Sequence, residues 1–463
     1  MKNKKMKHAV VIGGSIGGLV AARVLSDYFE KITVLERDSY ASKPRPRKFL
    51  PQGNHIHILL SKGKTLLEQY FPGLPDDLAA QGEKSLDFAR DINWFFQGCW
   101  RPRYKSGIEF YPLYRPSLDW VLAKRIKRDY PNVKMIEKCS VEELGWNEAK
   151  THVTGVICKT SGGKTKKLEA DLVVDSSGRY SKTPQWLELA GYKPPLEKET
   201  KIDVAYTTRI YKRPANFDEN WKLLSLYYQF PLNWQSGIIN NIQNNKWLVT
   251  LGGYFGKSPS SSDSGYLKFA KNLPRHEIYD RIKNEKPISE TWVYRIPQIR
   301  RRYFEKLNRF PDGLIVMGDA NCVFNPIFGQ GITAIALYAE ALGAHLEKWK
   351  DRYNLDGLSM AFQKSLPGAL DLPWFITNMI DLSFPQTQGK RPPGMRFISW
   401  YLARTLESVS LSPRLYQRFL RVMHLEAGWG ALLNPAFSLP VLFYALKSFF
   451  IPLEKRANTG EMP

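Results

Sequence analysis

The sequence is poor in cysteine, and the few cysteines do not fall in the spacings that metal sites or disulfide frameworks use. Its 463 residues include four, Cys99, Cys139, Cys158 and Cys322, and no Cys-x-x-Cys pair occurs. This pattern excludes a zinc module built on paired cysteines and argues against a disulfide-stapled secreted domain. We therefore expect buried, reduced thiols in a cytoplasmic protein without a metal site.

The sequence also lacks a clean apolar run long enough to cross a bilayer. Its basic first eight residues resemble the start of a signal peptide, but the apolar run that follows is only four residues, 9–12. The most apolar segment, residues 435–453, is interrupted by Pro440 and Lys447 and falls short of a ~20-residue span. We expect a helix buried on the domain surface or, alternatively, a peripheral membrane contact that would make the protein membrane-associated.

Acidic residues are scarce relative to basic ones. Lys and Arg number 67 against 44 Asp and Glu, a formal net charge of +23. Such an excess suits nucleic acid, an anionic membrane or a phosphorylated cofactor, and a solvated basic surface explains it equally well. No recognised nucleic-acid module accompanies the charge, so we expect no nucleic-acid partner. The length and the 43% hydrophobic content predict two entangled, well-packed domains.

The strongest positive pattern lies near the N-terminus. An apolar strand, residues 9–12, leads into Gly13-Gly-Ser-Ile-Gly-Gly18, a helix follows, and a second strand, residues 31–35, ends on Glu36. This is the layout of a dinucleotide-binding βαβ unit, in which the glycines admit a pyrophosphate and the acid binds a ribose. Ser15 replaces the usual middle glycine, and because serine is small we expect the close approach to survive. The Glu36 carboxylate argues against NADP in this pocket.

A second segment that could bind a cofactor lies late in the chain. The apolar run 314–317 ends at Gly318-Asp319, and Gly329-Gln330-Gly331 leads into a segment with one apolar helical stripe. A helix N-terminus has free N–H groups that suit a phosphate or an electron-rich ring edge. Another buried strand ends at Asp175-Ser-Ser-Gly178. We predict that the strand ends near 12, 175 and 319 lie side by side in one parallel sheet, with a ligand along their carboxyl ends.

Other segments are assigned by pattern. Arg115, before Pro116 at the first turn of a helix, could meet adenine or phosphate with its guanidinium. His55-x-His57 could be a metal pair, although a helix-start or core role is favoured.

The sequence divides into four parts. Residues 1–199 form a nucleotide domain with inserted segments around 61–115, and residues 200–300 form a mainly antiparallel sheet that walls an apolar pocket. Residues 301–350 return to the nucleotide domain, and residues 351–463 form a helical region.

Four ordered motifs carry a resemblance to a known family. They are Gly13–Gly18 with Glu36-Arg37, Pro51-Gln-Gly-Asn-His-Ile-His57, Asp175-Ser-Ser-Gly178, and Gly318-Asp319 with Asn325-Pro-Ile-Phe-Gly-Gln-Gly-Ile-Thr333. Between Val10 and Ala334 the chain resembles flavoprotein monooxygenases of the aromatic-hydroxylase and squalene-epoxidase type, and looks closest to bacterial polyether epoxidases. The resemblance implies an α/β fold: a Rossmann-like FAD-binding domain of the glutathione-reductase type, interleaved with the antiparallel substrate sheet and followed by helices.

The resemblance implies FAD as the cofactor and assigns roles to single residues. The pyrophosphate would lie on Gly13, Ser15, Ile16 and Gly17, and the adenosine ribose on Glu36 with Arg37. Arg47 and Arg115 would flank the cofactor, and the Val141 backbone would touch adenine. Asp319 would bind the ribityl or pyrophosphate portion. The backbone N–H groups of Gly331 and Ile332 would face the pyrimidine edge of the flavin, where a helix N-terminus stabilises the negative charge of the reduced ring.

The activity implied is insertion of one oxygen atom from O₂, by epoxidation or hydroxylation through a flavin C4a-hydroperoxide, into an apolar polyketide-, terpenoid- or aromatic-like substrate. No catalytic side chain is assigned, because the protein would supply a dry pocket and substrate position. Asp175-Ser176 departs from the family's Asp-Gly motif, so electrons would come from NAD(P)H or from a separate reductase. Alternatives are a prenyl-chain reductase, a non-enzymatic flavin-binding module, and a halogenase, which Trp292-Val-Tyr-Arg-Ile-Pro297 resembles in part.

Overall fold

The computed structural model describes residues 5–352, 354–451 and 462. The strands, in chain order, are β1 (Met6–Ile12), β2 (Phe29–Leu35), β3 (Ile56–Leu59), β4 (Leu86–Asp87), β5 (Ile92–Phe96), β6 (Cys99–Trp100), β7 (Glu109–Tyr114), β8 (Val133–Ile136), β9 (Cys139–Trp146), β10 (Val153–Thr160), β11 (Thr165–Glu169), β12 (Leu172–Asp175), β13 (Leu196–Lys212), β14 (Leu223–Leu226), β15 (Gln235–Ile242), β16 (Lys246–Gly253), β17 (Trp292–Tyr303), β18 (Leu314–Val316), β19 (Cys322–Val323) and β20 (Gln388–Gly389).

The helices are α1 (Ile16–Leu25), α2 (Ser61–Tyr70), α3 (Leu74–Ala80), α4 (Phe88–Asp91), α5 (Arg115–Asp129), α6 (Thr183–Leu189), α7 (Asp263–Lys271), α8 (Glu277–Ile282), α9 (Gly331–Trp349), α10 (Leu358–Leu382), α11 (Met395–Ser408), α12 (Pro413–Met423), α13 (Gly430–Leu433) and α14 (Pro435–Ser448). Short 3₁₀ helices span Pro51–Asn54, Phe304–Lys306, Gly318–Ala320 and Pro326–Phe328.

A five-stranded parallel sheet forms the first layer, in the order β18-β12-β1-β2-β8. Its central strands are apolar because both faces are covered, as in other parallel sheets. The register pairs Ile12 with Asp175, and Asp175 with Val316. The predicted side-by-side arrangement of the three strand ends is therefore confirmed, and it places their loops along one edge of the sheet.

Two features of this layer go beyond the sequence pattern. Helix α1 is buried on nearly every side, because it contacts the sheet, α5 and α9. The segment 133–141, which is strand-like in sequence, forms two strands, β8 and β9, which belong to different sheets. The chain turns between them at Lys138, whose φ of 54° lies in the left-handed region.

A nine-stranded sheet forms the second layer, following the path β19-β17-β13-β16-β15-β14-β5-β6, with β20 paired to β13. All of its pairs are antiparallel except β14 with β5. The predicted fold class is confirmed, and the sheet reaches beyond residues 200–300 because β5 and β6 join its edge. Strand β5 carries Ile92, Trp94 and Phe96 on one face, toward the C-terminal helices.

The C-terminal helices pack over this second layer. Helix α14 continues through Pro440, which the sequence predicted as an interruption. Proline lacks the N–H that would bond the carbonyl four residues earlier, and the Arg418 guanidinium donates to that Ala436 carbonyl instead. Within the described ranges, no helix has both the length and the apolar composition needed to cross a membrane.

Candidate active site

An open groove runs along the carboxyl ends of the parallel strands. Its two connected parts enclose about 940 and 1480 Å³ and share Ser15, Arg37 and Ser176. Gly13, Glu36 and Val141 lie in the first part, and Gly17, Arg115, Asp319, Gly331 and Ile332 lie in the second. The parallel sheet thus brings together side chains that are more than 300 residues apart in sequence, at the position where such sheets bind ligands.

The glycine turn lies tightly against the neighbouring strand end. Gly13 has a φ of +95°, and a Cβ there would stand 2.5 Å from the Ser176 carbonyl oxygen. Ser15 occupies the position where a glycine is usual, and its hydroxyl is bonded to helix α5. The hydroxyl donates to Asp119 at 2.9 Å and accepts from Arg115 Nη2 at 3.2 Å. The serine therefore leaves the turn intact and couples it to helix α5.

The Glu36 end of the groove contains a buried charge cluster. Glu36 accepts hydrogen bonds from the backbone N–H groups of Gly14 and Asp38, each at 2.8 Å. Arg47 lies 3.5 Å from Glu36 and 2.8 Å from Asp119. Tyr40 donates to the Gly14 carbonyl, and its burial raises its pKa well above the usual range.

Two of the predicted site residues, Arg47 and Ile16, do not line the groove. Arg47 is 8% exposed and is not among the residues that line the groove; its guanidinium lies behind the Glu36 carboxylate. Ile16 is fully buried in α1 and likewise contributes no lining side chain. Arg37 does line the groove, with its guanidinium 4.9 Å from the Phe49 ring centre.

The middle of the groove combines an acid with two arginines. Asp319 reaches into the open groove from the 3₁₀ helix that ends β18. The surrounding protein desolvates its carboxyl group and raises its pKa, and the charges of Arg179 and Arg115 oppose that shift. The Nδ1–H of His57 donates to the His55 carbonyl at 3.0 Å, and desolvation lowers the pKa of His57 to about 3. His57 is therefore a neutral imidazole beside Arg115.

The far end of the groove is the N-terminus of α9. Helix α9 begins at Gly331, its N-cap Gln330 makes no side-chain capping bond, and a Cβ on Gly331 would meet nothing within 4 Å. Its first N–H groups therefore lack intrahelical partners and face open space. The predicted apolar stripe of α9 comprises Ile332, Ile335, Ala336, Ala339, Leu342 and Leu346; all are buried except Ile335, which is half-buried. Thr333, Ala334, Leu337 and Tyr338 are buried as well, so the first turns of α9 are covered on more than one face.

A buried polar network lies behind this helix start. Asp381 Oδ1 accepts from Tyr254 Oη at 2.7 Å and from Asn325 Nδ2 at 2.8 Å, while Asn325 Oδ1 accepts from the Ile327 N–H. Desolvation raises the Asp381 pKa to about 7, and those two hydrogen bonds oppose the shift. The network holds the Pro326–Phe328 turn, which precedes Gly329 in the groove wall.

A small chamber adjoins the groove at this end. It shares Ile56, Tyr206 and Pro326 with the groove, and it also contains His55. His55 Nδ1 lies 2.7 Å from Thr208 Oγ1, while Nε2 has no protein partner. Desolvation lowers the His55 pKa to about 3, so the ring is neutral. His55 is therefore buried at the chamber, in the turn before β3, and His57 lies in β3 at the groove, so neither histidine is at a helix start and His55 has the predicted core position.

Beyond the chamber lies an apolar cavity of about 1040 Å³. The chamber and the cavity share Ile58, Tyr227, Ile238 and Ile327 as wall residues, so the chamber lies between the groove and the cavity and adjoins both. One wall comes from the second layer, through residues such as Trp94. The opposite wall comes from the C-terminal helices, which contribute Ile376, Ile380, Tyr401, Leu402, Leu406, Phe419, Val422, Met423 and Leu432.

Sequence reasoning missed several of these groups. Tyr40 and Asp119 are ordinary residues in sequence and gain importance only because they pack against the glycine turn. The C-terminal helices gave no substrate signal, because their cavity-lining residues follow the same helical spacing as core residues. Within the described ranges, no cluster of three or more His, Cys, Asp or Glu residues could hold a metal ion.

The residues that line the groove fit FAD in their chemistry. It offers an acid beside a glycine turn at one end, cationic side chains in the middle and a free helix N-terminus at the other end. Arg115 Nε and Ser177 Oγ are buried without protein partners beside the groove, as expected of atoms that bind a ligand there.

The cysteines lie where the sequence predicted. The thiols of all four are buried.

Comparisons with known proteins agree with this geometry. No protein-family model matches the chain. The chain is 29% identical over 442 residues to Protein Rv3254 of Mycobacterium tuberculosis, covering 89% of this chain and 88% of that protein. It superposes on flavin-dependent brominase Bmp2 with a TM-score of 0.63 and 16% identity, over 95% of this chain and 100% of the other.

A monooxygenase is equally similar in structure. The p-nitrophenol 4-monooxygenase PnpA from Pseudomonas putida superposes with a TM-score of 0.61 and 16% identity, over 91% of this chain and 98% of the other. Sequence identity this low establishes the fold and leaves the reaction open. The chain therefore has the α/β fold shared by flavin-dependent monooxygenases and halogenases.

Proposed function

We propose that this protein is an FAD-dependent monooxygenase that inserts one oxygen atom from O₂ into an elongated apolar substrate. The observation that carries the proposal is an apolar cavity that adjoins the cofactor groove through the walls of the chamber between them. Apolar cavities bury most of a small-molecule ligand and keep water from the reacting centre. The apolar lining of this cavity, drawn from the second layer and the C-terminal helices, suits epoxidation of a polyketide- or terpenoid-like chain.

The groove residues would hold FAD in one direction. The turn at Gly13, Ser15, Ile16 and Gly17 would face the pyrophosphate, and Glu36, Arg37 and Val141 would surround the adenosine. Arg115 and Asp319 would bind the middle, and the N–H groups of Gly331 and Ile332 would face the ring. Arg47 would act through Glu36, whose carboxylate it orients. Reduced FAD supplies the electrons that activate O₂, while the chain's own residues position the ring and exclude water.

The halogenase alternative is less well supported. Tyr294, Arg295 and Ile296 of the halogenase-like motif do line the groove. However, among the described residues no lysine lines the chamber or the apolar cavity, and a halogenase requires one between flavin and substrate. A prenyl-chain reductase would use the same apolar cavity. Product mass separates the three: one added oxygen, one added halogen, or two added hydrogens. A non-enzymatic flavin-binding module would yield no product with any apolar probe.

The electron source and location are further parts of the proposal. NAD(P)H bound transiently, or a separate reductase, would reduce the flavin, since the described residues form a single all-parallel sheet and the proposed FAD groove occupies its carboxyl edge. A cytoplasmic protein touching the membrane through residues 435–453 suits an apolar substrate. Within that segment α14 and residues 449–451 are described, and residues 452 and 453 lie outside the described part of the chain.

We expect the purified protein to be yellow with FAD, and Asp319→Ala to weaken FAD binding about tenfold or more. Removing the carboxylate would delete the charge-assisted hydrogen bond proposed to FAD and would remove a negative charge that Arg115 and Arg179 influence. Binding is measured by titrating the apoprotein with FAD and following flavin fluorescence. Asp356→Asn, far along the chain after α9, is the control. An unchanged FAD affinity in Asp319→Ala would remove this residue from the site, and a protein that takes up no FAD would overturn the proposed function.

A further inference from the structure

Helix α14 is apolar on two opposite faces. One face, with Phe437, Val441, Ala445 and Ser448, is buried against the rest of the protein. The other presents Leu439 (62% exposed), Phe443 (60%), Leu446 (71%) and, just past the helix end, Phe450 (87%) to the surroundings. Leaving a row of such side chains in water is unfavourable in proportion to their exposed apolar area. A helix with two apolar faces is suited to a second apolar environment on its outer face.

The exposed face continues onto neighbouring helices. Leu433 at the end of α13 is 69% exposed, and Phe397 and Trp400 on α11 are 64% and 41% exposed. Helices α11 and α14 pack together, and Tyr401 Oη donates to the Leu432 carbonyl, which joins α11 to α13. We call this set the apolar face: Phe397, Trp400, Leu433, Leu439, Leu442, Phe443, Leu446 and Phe450. Contiguous patches of this kind mark protein or membrane contacts.

The charge around the apolar face is strongly positive. Residues 383–451 contain eight Lys or Arg and two Glu, a formal excess of six positive charges. One of the two acids, Glu407, is buried and bonds Arg404 and Tyr444 rather than facing outward. Arg396, Arg414, Arg421 and Lys447 are exposed. An apolar stripe flanked by cations is the composition of helices that lie in the headgroup region of anionic bilayers.

The same helices form the outer wall of the substrate cavity. Tyr401 and Leu402 on α11 and Leu432 on α13 line the cavity, and each is next to or near a member of the apolar face. An occupant of the face would therefore lie at the side of the cavity farthest from the cofactor groove. A lipid bilayer in that position is also the natural reservoir for a long apolar substrate.

We propose that the apolar face binds the surface of an anionic phospholipid bilayer, with α14 lying in the plane of the membrane. Binding rests on the face and its charges alone, whereas delivery of substrate from the bilayer also rests on the proposed function. Within the described ranges no helix can span a membrane, so the contact is peripheral. A second copy of the chain is the competing occupant, but two faces with the same positive surroundings would repel each other.

Flotation of the FAD-loaded protein with vesicles tests the proposal. We expect the protein to float with vesicles of phosphatidylcholine and phosphatidylglycerol, and to bind pure phosphatidylcholine vesicles at least about tenfold more weakly because several cations face the lipid. High salt should release most of the protein. Phe443→Ser combined with Leu446→Ser should weaken binding roughly tenfold or more, since two exposed apolar side chains no longer enter the bilayer.

The matched control removes two apolar side chains of similar exposure elsewhere. Leu189 and Leu196 are 79% and 61% exposed, and Leu189→Ser with Leu196→Ser should leave vesicle binding unchanged. Equal loss in both double variants, or no binding to anionic vesicles, would overturn the proposal. Light scattering tests whether a second copy of the chain occupies the apolar face instead. A wild-type dimer that becomes monomeric in the Phe443→Ser, Leu446→Ser variant would also overturn the proposal. FAD content is measured in every variant, so a failure of cofactor binding is seen separately from a failure of membrane binding.

Discussion

Gly13→Ala is expected to cost about 3–5 kcal/mol in the free energy of unfolding and to abolish FAD uptake at micromolar cofactor. Gly13 has a φ of +95°, which strains any side chain, and its new Cβ would stand 2.5 Å from the backbone oxygen of Ser176. Backbone cannot move aside as a flexible side chain can. The turn would shift away from β12, and the N–H groups that face the groove would shift with it.

The measurements are urea unfolding of the apoprotein and FAD titration by fluorescence. Gly368→Ala is the matched control, because Gly368 is an exposed glycine inside α10 whose added Cβ would meet nothing within 4 Å. Alanine is the better helix former, so this variant should be stabilised by up to about 1 kcal/mol and should bind FAD normally. A Gly13→Ala protein with native stability and native FAD affinity would show that the turn is not packed as described.

Asp381→Asn is expected to flatten the pH dependence of stability between pH 5 and 7. The folded protein keeps the Asp381 proton up to a pKa of about 7, whereas the unfolded chain releases it near the ordinary value of 3.8. Between those values the folded state binds more protons, so wild-type stability is full below the lower pKa and falls as pH rises toward 7. From pH 5 to 7 the loss from this group is about 2 kcal/mol.

Asparagine keeps the oxygen that accepts from Tyr254 and Asn325 but cannot titrate. The variant should therefore lose less stability than the wild type across this interval, as measured by urea unfolding at each pH. Asp351→Asn, which removes an exposed carboxylate just beyond α9, is the control and should follow the wild-type profile. Parallel profiles for Asp381→Asn and wild type would mean that the carboxyl is already ionised at pH 5. FAD affinity measured in parallel reports whether the Pro326–Phe328 turn moves when Asp381 ionises.

Local motifs predicted the cofactor half of the molecule well. The strand, turn and helix from Ala9 to Leu25 have a backbone geometry that depends on residues close in sequence. The same holds for the glycines before α9. Parallel strands then leave little choice of arrangement, so the alignment of Ile12, Asp175 and Val316 followed from the pattern. The separation of β8 from β9 did not follow, because a run of alternating residues does not reveal which sheet each half joins.

By itself, the sequence determined the groups along the predicted cofactor groove: a glycine turn, an acid at a strand end and a helix start with free N–H groups. Each of these features forms from residues that are close in sequence. Only the tertiary structure decided that Arg47 lies behind Glu36, that Asp381 holds Asn325, and that β5 meets the C-terminal helices around one apolar cavity. The physical reason is the range of the interactions. Turn and capping geometry act within a few residues, whereas burial is non-directional and brings together side chains that carry no signal of their partners.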